Sequence, residues 1–187
     1  MFWPRRSPAA PRRGSSLWPT ARVAYAQMVV ALAAAIALAP SLRSGAQALF
    51  TTALFLSSKP IRVVFGRRSE PGAGWHLGAW KRLSLLRALA ILTAVPAWAG
   101  LPLSRVASLI PGAGLCLAWF VLFRAGRERT CAGKLVAALG FAAAALAVAA
   151  AGGASAMAAA ALALALGSLF CLGTVLLHLR SLASIRA

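Results

Sequence analysis

The apolar residues of this chain fall in long continuous tracts, without the strict alternation of a half-buried strand or the three-and-four spacing of an amphipathic helix. Six such tracts follow one another at residues 23–39, 46–64, 85–103, 106–123, 135–151 and 156–177. A helix that touches lipid and other helices is apolar all round, so periodicity does not sort its faces. Length does: crossing about 30 Å of hydrocarbon takes about 20 helical residues. The pattern predicts an all-α fold, a polytopic transmembrane helix bundle of about six helices.

Two tracts are weak. In the second, the run over 46–58 is too short to cross alone, and Lys59-Pro60 breaks it before Ile61, Val63 and Val64 resume. Proline removes a donor from the helix ladder. Two arrangements fit: Lys59 snorkels to the inner headgroups while 61–65 lies along the interface, or a broken helix lines a polar cavity. The fifth tract is so rich in Ala that it inserts weakly by itself. It is expected to enter as a hairpin with the sixth, turning at Gly152-Gly153.

Composition agrees, with 61% hydrophobic and 12% charged residues, against about a quarter charged in soluble domains. The net charge of +18 would suit nucleic acid if it formed one basic face. Instead the basic residues stand at the ends of apolar tracts among tryptophans, as cytoplasmic loops do. Arg5, Arg6, Arg12, Arg13 and Arg22 precede the first tract, and Lys59, Arg62, Arg67, Arg68, Lys81, Arg82 and Arg87 surround the second connection. Arg124, Arg127, Arg129 and Lys134 mark the fourth, and Arg180 and Arg186 the tail. The first and third connections hold only Arg43 and Arg105, and the fifth holds none. Eighteen of twenty basic residues thus fall on one side if there are six spans with both termini cytoplasmic.

The resulting organisation is a Pro-, Arg- and Ser-rich arm over 1–22, expected to be disordered, a membrane domain over 23–179 and a cytoplasmic tail over 180–187. Pro40 after Ala39 disfavours signal cleavage there, so the first span is expected to stay attached. The expected partners are anionic lipid headgroups at the cytoplasmic face and other helices, not nucleic acid.

The chemistry is mostly a set of absences. There is no Asp or Asn, and the only acids, Glu70 and Glu128, lie in connections. No span carries a carboxylate for magnesium binding, acid and base work or a proton relay. Cys116, Cys131 and Cys171 lack the spacing of a zinc or iron–sulfur site. No cofactor is expected. His76, in Trp75-His76-Leu77-Gly78-Ala79-Trp80, reads as an interfacial residue among aromatic anchors. One stripe stands out: Ala163, Gly167, Cys171, Thr174 and His178 share a face of the sixth helix. It is either a close helix contact with Thr174 hydrogen-bonding across it, or a pocket wall ending in a titratable His178.

The stretch Ala24-Tyr25-Ala26-Gln27, the run from Phe55 through Lys59-Pro60 to Arg67-Arg68, and Gly173-Thr174-Val175-Leu176-Leu177-His178-Leu179-Arg180 resemble the YwiC-like family of small bacterial membrane proteins. The resemblance implies a bacterial inner-membrane location and no settled activity. The chain departs from that family in having Ala21-Arg22-Val23 in place of a His-Gly pair, and Lys59 where an acid is common. Three functions are therefore weighed: a structural or accessory membrane protein, a transporter or channel for a small or anionic solute drawn by Lys59 and Arg62, and an enzyme acting on a lipid-linked substrate. The missing acids favour the first.

Overall fold

The computed structural model describes residues 22–65, 73–127 and 130–186. Those residues are all helix and turn: α1 (Arg22–Leu38), α2 (Leu42–Phe65), α3 (Ala73–Trp98), α4 (Leu103–Val106), α5 (Leu109–Arg124), α6 (Cys131–Gly152) and α7 (Ala156–Arg186). By length and composition three stretches are apolar enough to cross a membrane: Leu103–Arg124, Cys131–Gly152 and Ala156–Leu179. A shorter apolar helix, Val23–Leu38, accompanies them. The arm over 1–21, Arg67, Arg68, Glu70, Glu128 and Arg129 lie outside the described residues, as do the side chains of Lys59, Arg62 and His76.

Helix α6 is the hub, packing against α1, α2, α5 and α7. Its buried positions include Ala138, Ala142, Ala145, Val148 and Ala149, and small side chains of this kind let several backbones approach one helix at once. From α1, Met28, Ala31, Leu32 and Ala35 complete the core at helical spacing, joined by Ala159, Leu166 and Phe170 from α7. Aromatic rings thread through it, with Tyr25 edge-on to Phe55 at 5.3 Å and Phe55 tilted against Phe141 at 5.6 Å. A second, smaller core of Ala53, Leu86 and Ala90 joins α2 to α3.

The helix ends follow local chemistry. Thr130 caps α6 by accepting from the Gly133 N–H at 3.3 Å. At the other end Gly153 takes φ 101°, and the Ala154 N–H closes onto the Ala149 carbonyl at 3.0 Å, the double closure that ends helices at glycine. Ser155 then caps α7, accepting from the Ala158 N–H at 3.2 Å. The turn expected at Gly152-Gly153 is therefore present.

Three boundaries differ from the sequence reading. First, α2 stays helical through Pro60 to Phe65 where a break was expected at Lys59-Pro60. Pro60 is fully buried, and packing on its ring holds the helix across the missing donor. Second, α3 ends at Trp98 instead of residue 103, because Gly100 adopts φ 72° and Pro102 then starts the short α4. It also begins at Ala73, well before the expected 85. Third, α7 continues to Arg186 where a tail was expected from residue 180.

Candidate functional site

Of the α7 stripe, Gly167 packs against α6. A methyl group on Gly167 would meet the Ala142 Cβ at 3.5 Å and the Leu139 Cδ2 at 3.7 Å, ordinary contact distances. Gly167 and Thr174 are buried, and Ala163, Cys171 and His178 half-buried. Gly167 thus sits in the contact between the two helices, with ordinary room beside it. The Thr174 hydroxyl, however, makes no hydrogen bond across the contact among the described residues. Lys59 and Arg62 both belong to α2, and their side chains lie outside the description. All three cysteines are free thiols, and among the described residues no three His, Cys, Asp or Glu converge on a metal position.

The main polar structure lies elsewhere, where three turns meet. A methyl on Gly152 would fall 2.8 Å from the Ala39 Cβ and 3.1 Å from the Ser44 Cβ, and would overlap the Ala39 carbonyl oxygen. The α6–α7 turn is thereby pressed against the α1–α2 turn. Arg43 donates from Nη2 to the Ala99 carbonyl at 3.3 Å, which ties the α1–α2 turn to the α3–α4 turn. The Arg105 guanidinium lies 3.6 Å from the Gly153 Cβ position and closes the triangle. Consequently α1, α3 and α6 run toward this end, and α2, α5 and α7 run away from it.

The side chains here are fixed by short-range hydrogen bonds. Ser41 and Ser44 cap α2 reciprocally: the Ser41 N–H donates to the Ser44 Oγ at 3.0 Å and the Ser44 N–H to the Ser41 Oγ at 3.1 Å. One turn further, the Trp98 Nε1–H donates to the Gln47 Oε1 at 2.6 Å, and Gln47 is only 2% exposed. The indole can only donate, so the Gln47 amide orientation is chemically fixed. Sequence reading missed this pair because 51 residues separate its members. The available signal was Gln47 itself, one of two glutamines in the chain, beside an apolar tract.

Beside the turns is a half-open cleft of about 250 Å³, lined by Ser104, Arg105, Ser108 and Ser155 over Leu146 and Ala150. Its one cation and its hydroxyls can receive a small polar or anionic group, but no lining residue can act as a base toward those serines. At the opposite end Lys81, Arg124, Arg127 and Lys134 are all exposed. Compared with known proteins, the chain matches no family model, no curated protein and no solved structure.

Proposed function

We propose that the chain is a six-span integral membrane protein of the bacterial inner membrane, with both termini cytoplasmic, and that it serves as a structural or accessory component. The observation that carries this reading is the gathering of the three basic-poor turns at one end of the bundle. The start of α1, the ends of α2, α5 and α7 and the starts of α3 and α6 then lie toward the other end, which supports assigning the basic connections and both termini to that side. Lys and Arg are retained on the cytoplasmic side, so this end, to which seventeen of the twenty basic residues are assigned once Arg87 is set apart in the middle of α3, faces inward. Its surface charge suits anionic headgroups, at about 1 kcal/mol for each basic residue near the membrane.

The absence of any Asp, and the confinement of both Glu residues to connections, support a structural role over an enzymatic one. The YwiC-like resemblance belongs to the same reading and contributes topology rather than activity. Reporter fusions after Leu103 and Gly153 should report the outside, and fusions after Arg127 the cytoplasm. A cytoplasmic signal at either of the first two overturns the six-span arrangement.

A further inference from the structure

The early end of α3 at Trp98 changes the depth of a charge. Trp98 bonds to Gln47 beside the clustered turns, so it marks the outer level of the bundle, and Arg87 precedes it by eleven residues of continuous helix. At 1.5 Å per residue Arg87 lies about 16 Å below that level, near the middle of a hydrocarbon layer of about 30 Å. Lys81 and Arg82 lie about 25 Å below it, close to the inner headgroups. This depth rests on the proposed membrane arrangement.

Arg87 is exposed and has no hydrogen-bond or acidic partner among the described residues. Its neighbours along the same face are Trp80, Ser84 and Ile91, at spacings of four, three and four. All four are exposed, whereas the opposite face buries Ala79, Leu83, Leu86 and Ala90. Arg87 therefore points away from the bundle, where an uncompensated cation is costly. A helical side chain leans toward the helix N-terminus, which here carries the guanidinium toward Lys81 and the inner leaflet. A bidentate fork at that depth is matched by a phosphodiester drawn inward as the leaflet thins locally around the snorkelling side chain.

The geometry points to a binding site for an anionic phospholipid of the inner leaflet on the outer face of α3. Arg87 grips the phosphate, Ser84 donates a further hydrogen bond, Lys81 meets the net negative headgroup, and Trp80 anchors at the interface. No acid occurs anywhere in α3 to compete. The site is local, unlike the diffuse attraction of the basic loops.

The test uses the full chain purified in detergent, titrated with phosphatidylglycerol and with phosphatidylcholine of the same acyl chains, and read by native mass spectrometry. The wild type should retain phosphatidylglycerol in preference to phosphatidylcholine. Arg87→Leu should lower phosphatidylglycerol retention about ten-fold, the weight of a charge-assisted bidentate contact. Arg127→Leu, which removes a charge from the basic end of the bundle, should lower it about three-fold or less. Arg87→Lys and Ser84→Ala should fall between, and they carry the test if the leucine variant fails to fold. Equal losses for Arg87→Leu and Arg127→Leu would reduce the site to diffuse charge and overturn it. Displacement of the lipid by millimolar inorganic phosphate would mean a free-anion site and also overturn it. So would a photo-crosslinker at Ile91 that captures a protein instead of lipid. Alkaline extraction separates the two levels: release of the chain from membranes sinks the spanning arrangement, whereas retention with unchanged Arg87→Leu binding sinks only the lipid site.

Discussion

The α6–α7 and α2–α3 hairpins are the two most extensive helix pairs of the molecule, yet they are joined by opposite means. The first consists almost wholly of small and aliphatic residues and turns through Gly152-Gly153, where Gly152 presses on Ala39 of the α1–α2 turn, while within the hairpin Gly167 packs against Ala142 and Leu139. The second carries Arg43, Gln47, Lys81, Arg82 and Arg87 and a proline in each helix, and it is tied by the Gln47–Trp98 bond. Hydrophobicity does not drive helices together within lipid, because lipid tails are as apolar as leucine. Two remedies remain, close backbone packing and interhelical hydrogen bonding; the hydrogen bond joins α2 to α3, and the close packing is found where the α6–α7 turn meets Ala39.

The contrast breaks most severely at Gly152. Gly152→Leu should cost about 3 kcal/mol, since the added side chain meets backbone at Ala39 and cannot turn aside. Unfolding in detergent would show it, and a variant as stable as wild type would remove close packing from the account. Gly167→Ala is the matched control: its methyl group finds ordinary contact distances, so stability should change by about 0.5 kcal/mol or less.

Phe141→Ala comes next, because Phe141 is 8% exposed and supports Phe55. The expected loss is about 2 kcal/mol, below the 3–5 kcal/mol of an aqueous core because the cavity cost remains while much of the transfer cost does not.

How far the hairpins could be read from sequence follows the same division. The Ala-rich hairpin was legible in its turn and in the start of α7 at Ala156, since each rests on local chemistry within a few residues. The α2–α3 hairpin was not. Pro60 signals a break, but whether the helix survives depends on tertiary packing around the ring. Gly100 and Pro102 fix the end of α3, yet in sequence they are masked by the apolar residues that continue to Leu103. That difference moved Arg87 from the edge of a span into its depth. The Arg43–Ala99 and Gln47–Trp98 bonds join residues 56 and 51 positions apart, so no local pattern could disclose them. Of the stripe on α7, Gly167 is seen against α6; the Thr174 hydrogen bond expected with it is not formed among the described residues.

The polar hairpin offers a milder test. Gln47→Leu should cost about 1 kcal/mol by leaving the Trp98 indole N–H without its acceptor. Combining it with Trp98→Phe should restore part of the loss, because neither partner is then left unpaired. Strict additivity in unfolding measurements would show that the bond does not join α2 to α3 energetically. The smallest effect is expected from Thr130→Ala, about 0.5–1 kcal/mol, from loss of the α6 cap. Hydrogen exchange should then rise in the first turn of α6 and leave the α2–α3 hairpin unchanged.

The central claim is that three basic-poor turns share one side of the membrane, opposite the basic connections. Its most direct test is labelling of single cysteines with a membrane-impermeant maleimide in sealed right-side-out vesicles, in a background with Cys116, Cys131 and Cys171 replaced by alanine. Ser41→Cys, Ala99→Cys and Ser155→Cys, all at exposed positions, should label from outside, and Ala125→Cys only after permeabilisation. Labelling that separates any one of the three turns from the other two, or that reaches Ala125→Cys in sealed vesicles, contradicts the account.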